Sequence, residues 1–203
     1  MRAKRRAWIL RLLSRLLPFL FWGLVIFGFE SPSLAVLTII AAVIHELGHI
    51  LVAMRLGLVA RLPHGVLFGM KIRLGGCPSY RARILVLLGG PLANLLAALV
   101  APLIPLPRDY ITLFSALNIA TALSNLLPAE GYDGYGVLFA LSEAKGIEWG
   151  LRALPRLSFA VSVLFTFFSL YLIGRLGWGY WIFGIFFSSM ISKLSSSIKS
   201  SVF

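Results

Sequence analysis

The apolar stretch from Ser33 to Met54, SLAVLTIIAAVIHELGHILVAM, sets the class of this chain. It is long enough to supply the ~20 residues that an α-helix needs to cross a bilayer. It also contains three ionisable residues, His45, Glu46 and His49, toward its C-terminal end. Ionisable groups in an apolar span are costly unless they are paired or liganded, so such a cluster indicates a functional site.

The composition of the whole chain indicates that lipid is its solvent. The 203 residues are 59% hydrophobic and 13% charged, and the mean hydropathy is +0.92. A soluble domain of this length needs more polar surface than that. The formal net charge of +12 lies in short clusters between apolar runs, which disfavours a nucleic-acid partner. The lone cysteine, Cys77, excludes an intramolecular disulfide and an all-cysteine zinc site.

Apolar segments recur along the chain and are predicted to cross the membrane. They run from Pro18 to Phe29, Ser33 to Met54, Ile84 to Ile104, Ile111 to Leu127, Leu157 to Ile173 and Trp178 to Ile191. After the second segment, Val66 to Arg73 has the pattern of a short strand at the membrane surface. The sequence therefore predicts an all-α polytopic membrane protein. It would have about six transmembrane helices and a short membrane-associated β-hairpin or re-entrant segment after the second helix.

The predicted domain organisation is one membrane domain with two flanking segments. Residues 1–17 form a basic amphipathic segment that is expected to lie at a lipid surface. Residues 18–191 form the single membrane domain, and residues 192–203 form a mobile Ser-rich tail. A secretory signal peptide is the alternative for the N-terminal region, because Ser33 and Ala35 follow an apolar run as a small-residue cleavage pattern.

The basic residues predict the orientation of the chain in the membrane. If the N-terminus is cytoplasmic, all of the nineteen lysines and arginines except Arg108 and Arg175 fall in cytoplasmic segments. Such a bias is the positive-inside pattern, so both termini are predicted to be cytoplasmic.

The motif H-E-x-x-H at His45 to His49 has the spacing of a zinc site. Residues four apart lie above one another on a helix, so both histidines can present ring nitrogens to one tetrahedral metal. Glu46 lies beside them, where it can take a proton from a water molecule on the metal. The alternative is that the three side chains only satisfy one another within a helix bundle.

A catalytic zinc usually has a third protein ligand and one open position. The candidates are His64, Cys77, Asp109, Glu130, Asp133, Glu143 and Glu148. Asp133 stands apart, because Pro128 ends the fourth apolar helix and Gly131 and Gly134 allow the backbone to turn back toward the bundle. An ordinary Asp-Gly turn is the alternative for this residue.

The chain resembles the site-2 protease family of intramembrane zinc metalloproteases, most closely its compact, sporulation-type bacterial branch. The resemblance rests on three elements: H-E-x-G-H from His45, Gly90-Pro91-Leu92-Ala93-Asn94, and N-x-x-P-x-x-x-x-D-G from Asn125 to Gly134. These elements extend over about half of the chain.

The resemblance implies one Zn²⁺ held by His45, His49 and Asp133, with Glu46 as general base. It implies further that Asn94 and Asn125 lie near the substrate or transition state, although helix–helix hydrogen bonding is the alternative for both. The implied activity is cleavage of transmembrane or membrane-associated proteins near the cytoplasmic face of a bacterial cytoplasmic membrane, in regulated intramembrane proteolysis.

Three further expectations complete the prediction. An unwound substrate segment would pair with the strand-like edge from Gly65 to Arg73. Partners are the lipid bilayer, the protein substrate, and a regulatory membrane partner or a second copy of the chain. The alternative functions are a membrane zinc peptidase of another class, which commonly uses a downstream glutamate as ligand, and a metal transporter or non-catalytic zinc-binding scaffold.

Overall fold

The computed structural model describes residues 31–58, 60–61, 73–74 and 79–177, together with Phe183, Phe186, Phe187 and Met190. These residues form five α-helices and one short antiparallel pair of strands. In chain order they are α1 (Pro32–Arg55), β1 (Ala60–Arg61), β2 (Arg73–Leu74), α2 (Tyr80–Val100) with a 3-10 turn at Ala101–Leu103, α3 (Arg108–Asn125), α4 (Asp133–Ala144) and α5 (Glu148–Leu176).

Local sequence signals fix where these helices begin and end. The Ser31 hydroxyl accepts a hydrogen bond from the Leu34 backbone N–H at 3.3 Å, and Pro32 occupies the first turn of α1. Ser79 caps α2 in the same way. Serine at the N-cap and proline in the first turn are both favourable, because the free N–H groups there need an acceptor or are absent. Gly177 ends α5 with φ at +68°, a left-handed conformation that favours glycine.

Helices α1, α2 and α3 pack against one another, α4 packs on α2, and α5 packs on α4. Helices α1 and α2 approach each other closely at Gly48 and Gly89. A methyl group at residue 48 would collide with the Gly89 carbonyl oxygen and lie 2.6 Å from the Ala93 Cβ. The two backbones are therefore in direct contact, which is the packing that small residues permit between membrane helices.

Three of these helices are long and apolar enough to cross a membrane. They are Pro32–Arg55, Tyr80–Leu103 and Glu148–Arg175. Large apolar side chains such as Leu99, Leu103 and Phe167 are exposed on their outer faces. A surface of this kind suits lipid better than water, so the chain has the features of an integral membrane protein.

The prediction of six transmembrane helices with a β-hairpin is wrong. The second, third and fifth predicted segments correspond to α1, α2 and α5. The fourth corresponds to α3, which is not apolar enough to count as a span because charged residues begin it and amides interrupt it. Helix α4 lies between the fourth and fifth predicted segments, and its 12 residues extend only about 18 Å, short of a bilayer core.

The predicted hairpin is reduced to a pairing of two residues on each side. Ala60 pairs with Leu74 and Arg61 pairs with Arg73 in antiparallel register. Most of the predicted strand from Val66 to Arg73 lies outside the described residues. The basic segment 1–17, the first predicted span, most of the last one and the Ser-rich tail also lie outside them.

Candidate metal centre

Three potential metal ligands meet between α1 and the start of α4. The Nε2 atoms of His45 and His49 lie 3.1 Å apart, and the Oδ2 atom of Asp133 lies 3.0 Å from the first and 3.3 Å from the second. Both histidines are buried and Asp133 is nearly so. The convergence of these three residues, predicted from the sequence, is confirmed, and they lie close enough to hold a metal ion.

The spacing of the three atoms fits a tetrahedral metal. Ligands bound about 2.0–2.1 Å from a zinc ion are separated by roughly 3.3 Å, which is close to each side of this triangle. The outer ring nitrogen of each histidine faces an acceptor, so that each Nε2 can direct its lone pair inward. Two such lone pairs and a carboxylate repel one another unless a proton or a cation lies between them.

The outer nitrogens are held by α2. His49 Nδ1 donates to the Val86 carbonyl oxygen at 2.7 Å, and His45 Nδ1 donates to Asn94 Oδ1 at the same distance. Metal-binding histidines commonly donate their other N–H group to a carbonyl or carboxylate, because this fixes both the tautomer and the ring orientation. The α1–α2 packing therefore sets the direction of both imidazoles.

Asn94 lies behind the metal site. Its side chain is fully buried, accepts from His45, and donates to the Ala41 carbonyl at 2.9 Å and to Asn118 Oδ1 at 2.8 Å. The geometry therefore gives Asn94 a contact with His45, one of the potential metal ligands. A contact between Asn94 and the substrate stays a prediction.

Gly90 keeps space open beside the imidazoles. A methyl group at this position would lie 2.6 Å from His49 Cε1 and 2.8 Å from His45 Cε1, and closer still to His49 Nε2. That volume adjoins the inner side of the rings, where a metal and its ligands would lie. Glycine at position 90 leaves this volume free.

The loop from Leu126 to Tyr132 carries Asp133 into the site. Gly131 has φ at +100°, which favours glycine, and a methyl group at Gly134 would collide with the Leu126 carbonyl oxygen. The Glu130 N–H donates to the Ser158 hydroxyl of α5 at 2.6 Å. The two glycines that were predicted to permit the turn thus do so in different ways, one by its dihedral angle and one by close approach.

The surroundings of Asp133 favour its ionised form. Burial alone would raise the pKa of Asp133, but the adjacent imidazoles of His45 and His49 outweigh it and hold that pKa below its ordinary value. A metal ligand must be deprotonated, so this setting suits the proposed role. Burial raises the pKa of the neighbouring Tyr132, whose ring stacks on Phe186 with centroids 5.5 Å apart. Tyr132 thus stays neutral beside the carboxylate.

Glu46 follows His45 on α1 and is half-buried. Within the described part of the chain its carboxylate accepts no hydrogen bond, so it is available to a ligand of the site. Asn125, at the end of α3, donates to the Thr121 carbonyl of its own helix at 2.9 Å, and within the described residues it forms no hydrogen bond with His45, His49 or Asp133. Its role near the substrate stays a prediction.

Within the described residues, none of the other candidate ligands joins the cluster of His45, His49 and Asp133. Glu143 pairs with Arg83 at 3.1 Å, and Glu148 pairs with Arg152 at 3.1 Å. Asp109 is in the first turn of α3, and His64 and Cys77 lie outside the described residues. Sequence reasoning did not identify Asn118, although an amide within an apolar segment was a signal for it.

Comparison with models of protein families and with the sequences of curated proteins finds no match to this chain. The site itself defines a buried cluster of two imidazoles and one carboxylate, contributed by two helices and oriented by a third. That cluster is the basis for the function proposed next.

Proposed function

We propose that this protein is a zinc-dependent intramembrane endopeptidase of the site-2 protease type. The observation that supports it best is the triangle of His45, His49 and Asp133, adjacent to the half-buried carboxylate of Glu46. Three of these four residues, His45, Glu46 and His49, lie in a helix apolar enough to cross the bilayer. A metal ligand set in such a place, next to an available base, favours hydrolytic chemistry.

Zinc is the metal that this ligand set suits best. Two imidazole nitrogens and one carboxylate oxygen are the ligand types of hydrolytic zinc sites, which keep a fourth position for water or substrate. Gly90 provides room on the inner side of the rings for that fourth position. Harder ions such as Mg²⁺ and Ca²⁺ prefer sites built from oxygen alone.

In the proposed mechanism, the protein residues position the reactants and move protons. A bound zinc ion supplies a Lewis acid that activates water and polarises the scissile carbonyl. Glu46 accepts the proton of the attacking water and returns it to the leaving amine. His45, His49 and Asp133 hold the centre in place, and the surrounding helices limit the access of bulk water.

The substrates proposed here are transmembrane or membrane-associated proteins. His49 lies six residues before the end of α1 at Arg55, about 9 Å along the helix axis, so the bond to be cut would lie within reach of that end of the bundle. A helical substrate hides its carbonyl groups in hydrogen bonds, so it would have to unwind before attack. The Gly65 to Arg73 edge proposed to bind it lies outside the described residues.

The described basic residues favour a cytoplasmic position for that end of the bundle. The Arg83–Glu143 ion pair joins the beginning of α2 to the end of α4, so the end of α1 and the start of α5 lie at the same end. The basic residues near it are Arg55, Arg81, Arg83, Lys145, Arg152 and Arg156, whereas Arg108 and Arg175 lie near the other end. By the positive-inside rule we place the first end in the cytoplasm, with cleavage near the inner face of a bacterial membrane in regulated intramembrane proteolysis.

The test uses the full chain in detergent or proteoliposomes, with zinc content and cleavage of a membrane-tethered reporter as separate measurements. Glu46→Gln removes the base but no ligand, so it should retain wild-type zinc and lose about 10²-fold or more in cleavage rate. The matched control is Glu148→Gln, since the Glu148 side chain is exposed and pairs with Arg152 of its own helix. It should leave both measurements unchanged.

The same two measurements separate the alternatives. Unchanged cleavage by Glu46→Gln would remove Glu46 from the mechanism. Wild-type protein that holds zinc but cuts no membrane reporter would favour the non-catalytic zinc scaffold. Zinc accumulation by proteoliposomes, without cleavage, would favour the transporter.

A further inference from the structure

We propose that Asn118 of α3 is a positioning residue of the metal centre, acting through Asn94 to fix the ring of His45. This inference rests on the metal centre proposed above and goes beyond it, because Asn118 touches none of the three ligands. The two asparagines form a buried chain that joins the backbone of α3 to the imidazole. Asn94 and Asn118 are both fully buried.

The direction of every hydrogen bond in this chain follows from its far end. The Phe114 carbonyl can only accept, so Asn118 presents its Nδ2 group there, at 2.9 Å. The Oδ1 atom of Asn118 must then face Asn94, from which it accepts at 2.8 Å. The orientation of the first amide thus selects that of the second.

Asn94 passes the same constraint to the imidazole. Its Nδ2 group has two acceptors, the Ala41 carbonyl at 2.9 Å and Asn118 Oδ1, so its Oδ1 atom faces His45. His45 Nδ1 must carry a proton to donate to that oxygen at 2.7 Å. The Nε2 lone pair of His45 is then free to bind a metal.

Rotation of the Asn94 amide by half a turn would reverse this outcome. An N–H group would face His45 Nδ1, which would have to accept, and the ring proton would move to Nε2, the atom that binds the metal. The burial of both asparagines leaves little room for water to replace the lost bonds. Asn118 therefore supplies one of the two acceptors that hold the Asn94 amide in its productive orientation.

The proposal is tested by the affinity of the detergent-solubilised full chain for Co²⁺ alone, measured from the visible absorption of the bound ion. Asn118→Leu keeps the volume but removes the acceptor, and should weaken Co²⁺ binding about tenfold, at the lower end of the effect of outer partners of metal ligands. The control is Ser115→Ala on the same helix. Ser115 bridges to the Ala98 carbonyl of α2 at 3.4 Å without reaching the site, so its loss should leave Co²⁺ affinity unchanged.

A second variant distinguishes positioning from packing. Asn94→Asp has an oxygen at both ends of its side chain, so it can accept from His45 in either orientation. In that background Asn118→Leu should cause no further loss of Co²⁺ affinity. An equal loss in both backgrounds would mean that Asn118 only supports the fold, and would overturn the proposal.

A measurement on the wild-type protein guards against misfolded variants. With Zn²⁺ bound, nitrogen-15 NMR should show a His45 Nδ1–H signal that exchanges slowly with solvent. Its absence from the wild-type spectrum would also overturn the proposal. Slow exchange, together with an effect of Asn118→Leu that depends on the Asn94 background, would support the positioning role of Asn118 even if no reporter were cleaved. Unchanged Co²⁺ affinity in Asn118→Leu would refute that role. Reporter cleavage by the same variant would leave the proposed peptidase function standing.

Discussion

Replacement of Gly90 by alanine tests the geometry of the metal centre directly. The added methyl group would lie 2.6 Å from His49 Cε1 and 2.8 Å from His45 Cε1, well inside ordinary contact distance. The rings cannot retreat freely, because Val86 and Asn94 hold their outer nitrogens at 2.7 Å. One of those hydrogen bonds, or the spacing of the two Nε2 atoms, must change.

The size of the effect follows from the cost of overpacking. Inserting one methyl group into a closely packed site costs about 1–3 kcal/mol. Every 1.4 kcal/mol corresponds to a tenfold change in an equilibrium constant, so zinc affinity should fall by roughly 5- to 150-fold if the clash falls on the metal-bound state. Cleavage of the reporter should fall in parallel under limiting zinc.

The assay is competition for Zn²⁺ between the purified protein and a chromogenic chelator, with thermal unfolding as a check of folding. The matched control is Gly174→Ala in α5, because a methyl group there meets no atom of the described residues within 4 Å. It should bind zinc like the wild type. Wild-type zinc affinity in Gly90→Ala, with the fold retained, would refute the claim that Gly90 keeps the inner volume open.

Two further predictions concern the third ligand and the helix contact. Asp133→Asn removes the negative charge but little volume, and should strongly lower the zinc content that remains after dialysis. The control, Asp109→Asn, should retain its zinc. Full zinc retention by Asp133→Asn would contradict the assignment of Asp133 as the third ligand. Gly48→Ala should destabilise the protein by about 1–3 kcal/mol, because a methyl group collides with the Gly89 carbonyl. Thermal unfolding measures this loss, and an unchanged midpoint would contradict the close backbone contact between α1 and α2.

The sequence predicted the convergence of His45, His49 and Asp133 better than it predicted the fold. His45 and His49 are four residues apart on one helix, so helical geometry alone places them together. Asp133 required a turn, and the proline and glycines before and after it gave that signal. These local rules sufficed because each of the three residues lies in or beside an element whose conformation is determined by short-range sequence.

The errors arose where burial depends on neighbours that are distant in sequence. Helix α3 packs against α1 and α2, and its Ser115 and Asn118 side chains form hydrogen bonds with α2. Its polar residues therefore do not show whether it crosses the membrane. Helix α4 follows a loop and has too few residues to resemble a span. The hydrogen bonds between Asn118, Asn94 and His45 cross three helices, and no spacing within one segment encodes them.

The meeting of main chain with main chain at Gly48 and Gly89 has a consequence for how this protein can change. Steric contact between the two backbones sets the separation of α1 and α2 there, and the side chains that point outward do not affect it. Those outward residues can be exchanged to suit a thicker, thinner or more fluid lipid environment. The distance between the Nε2 atoms of His45 and His49 would stay the same. The lipid-facing surface of this chain can therefore change independently of the positions of His45 and His49.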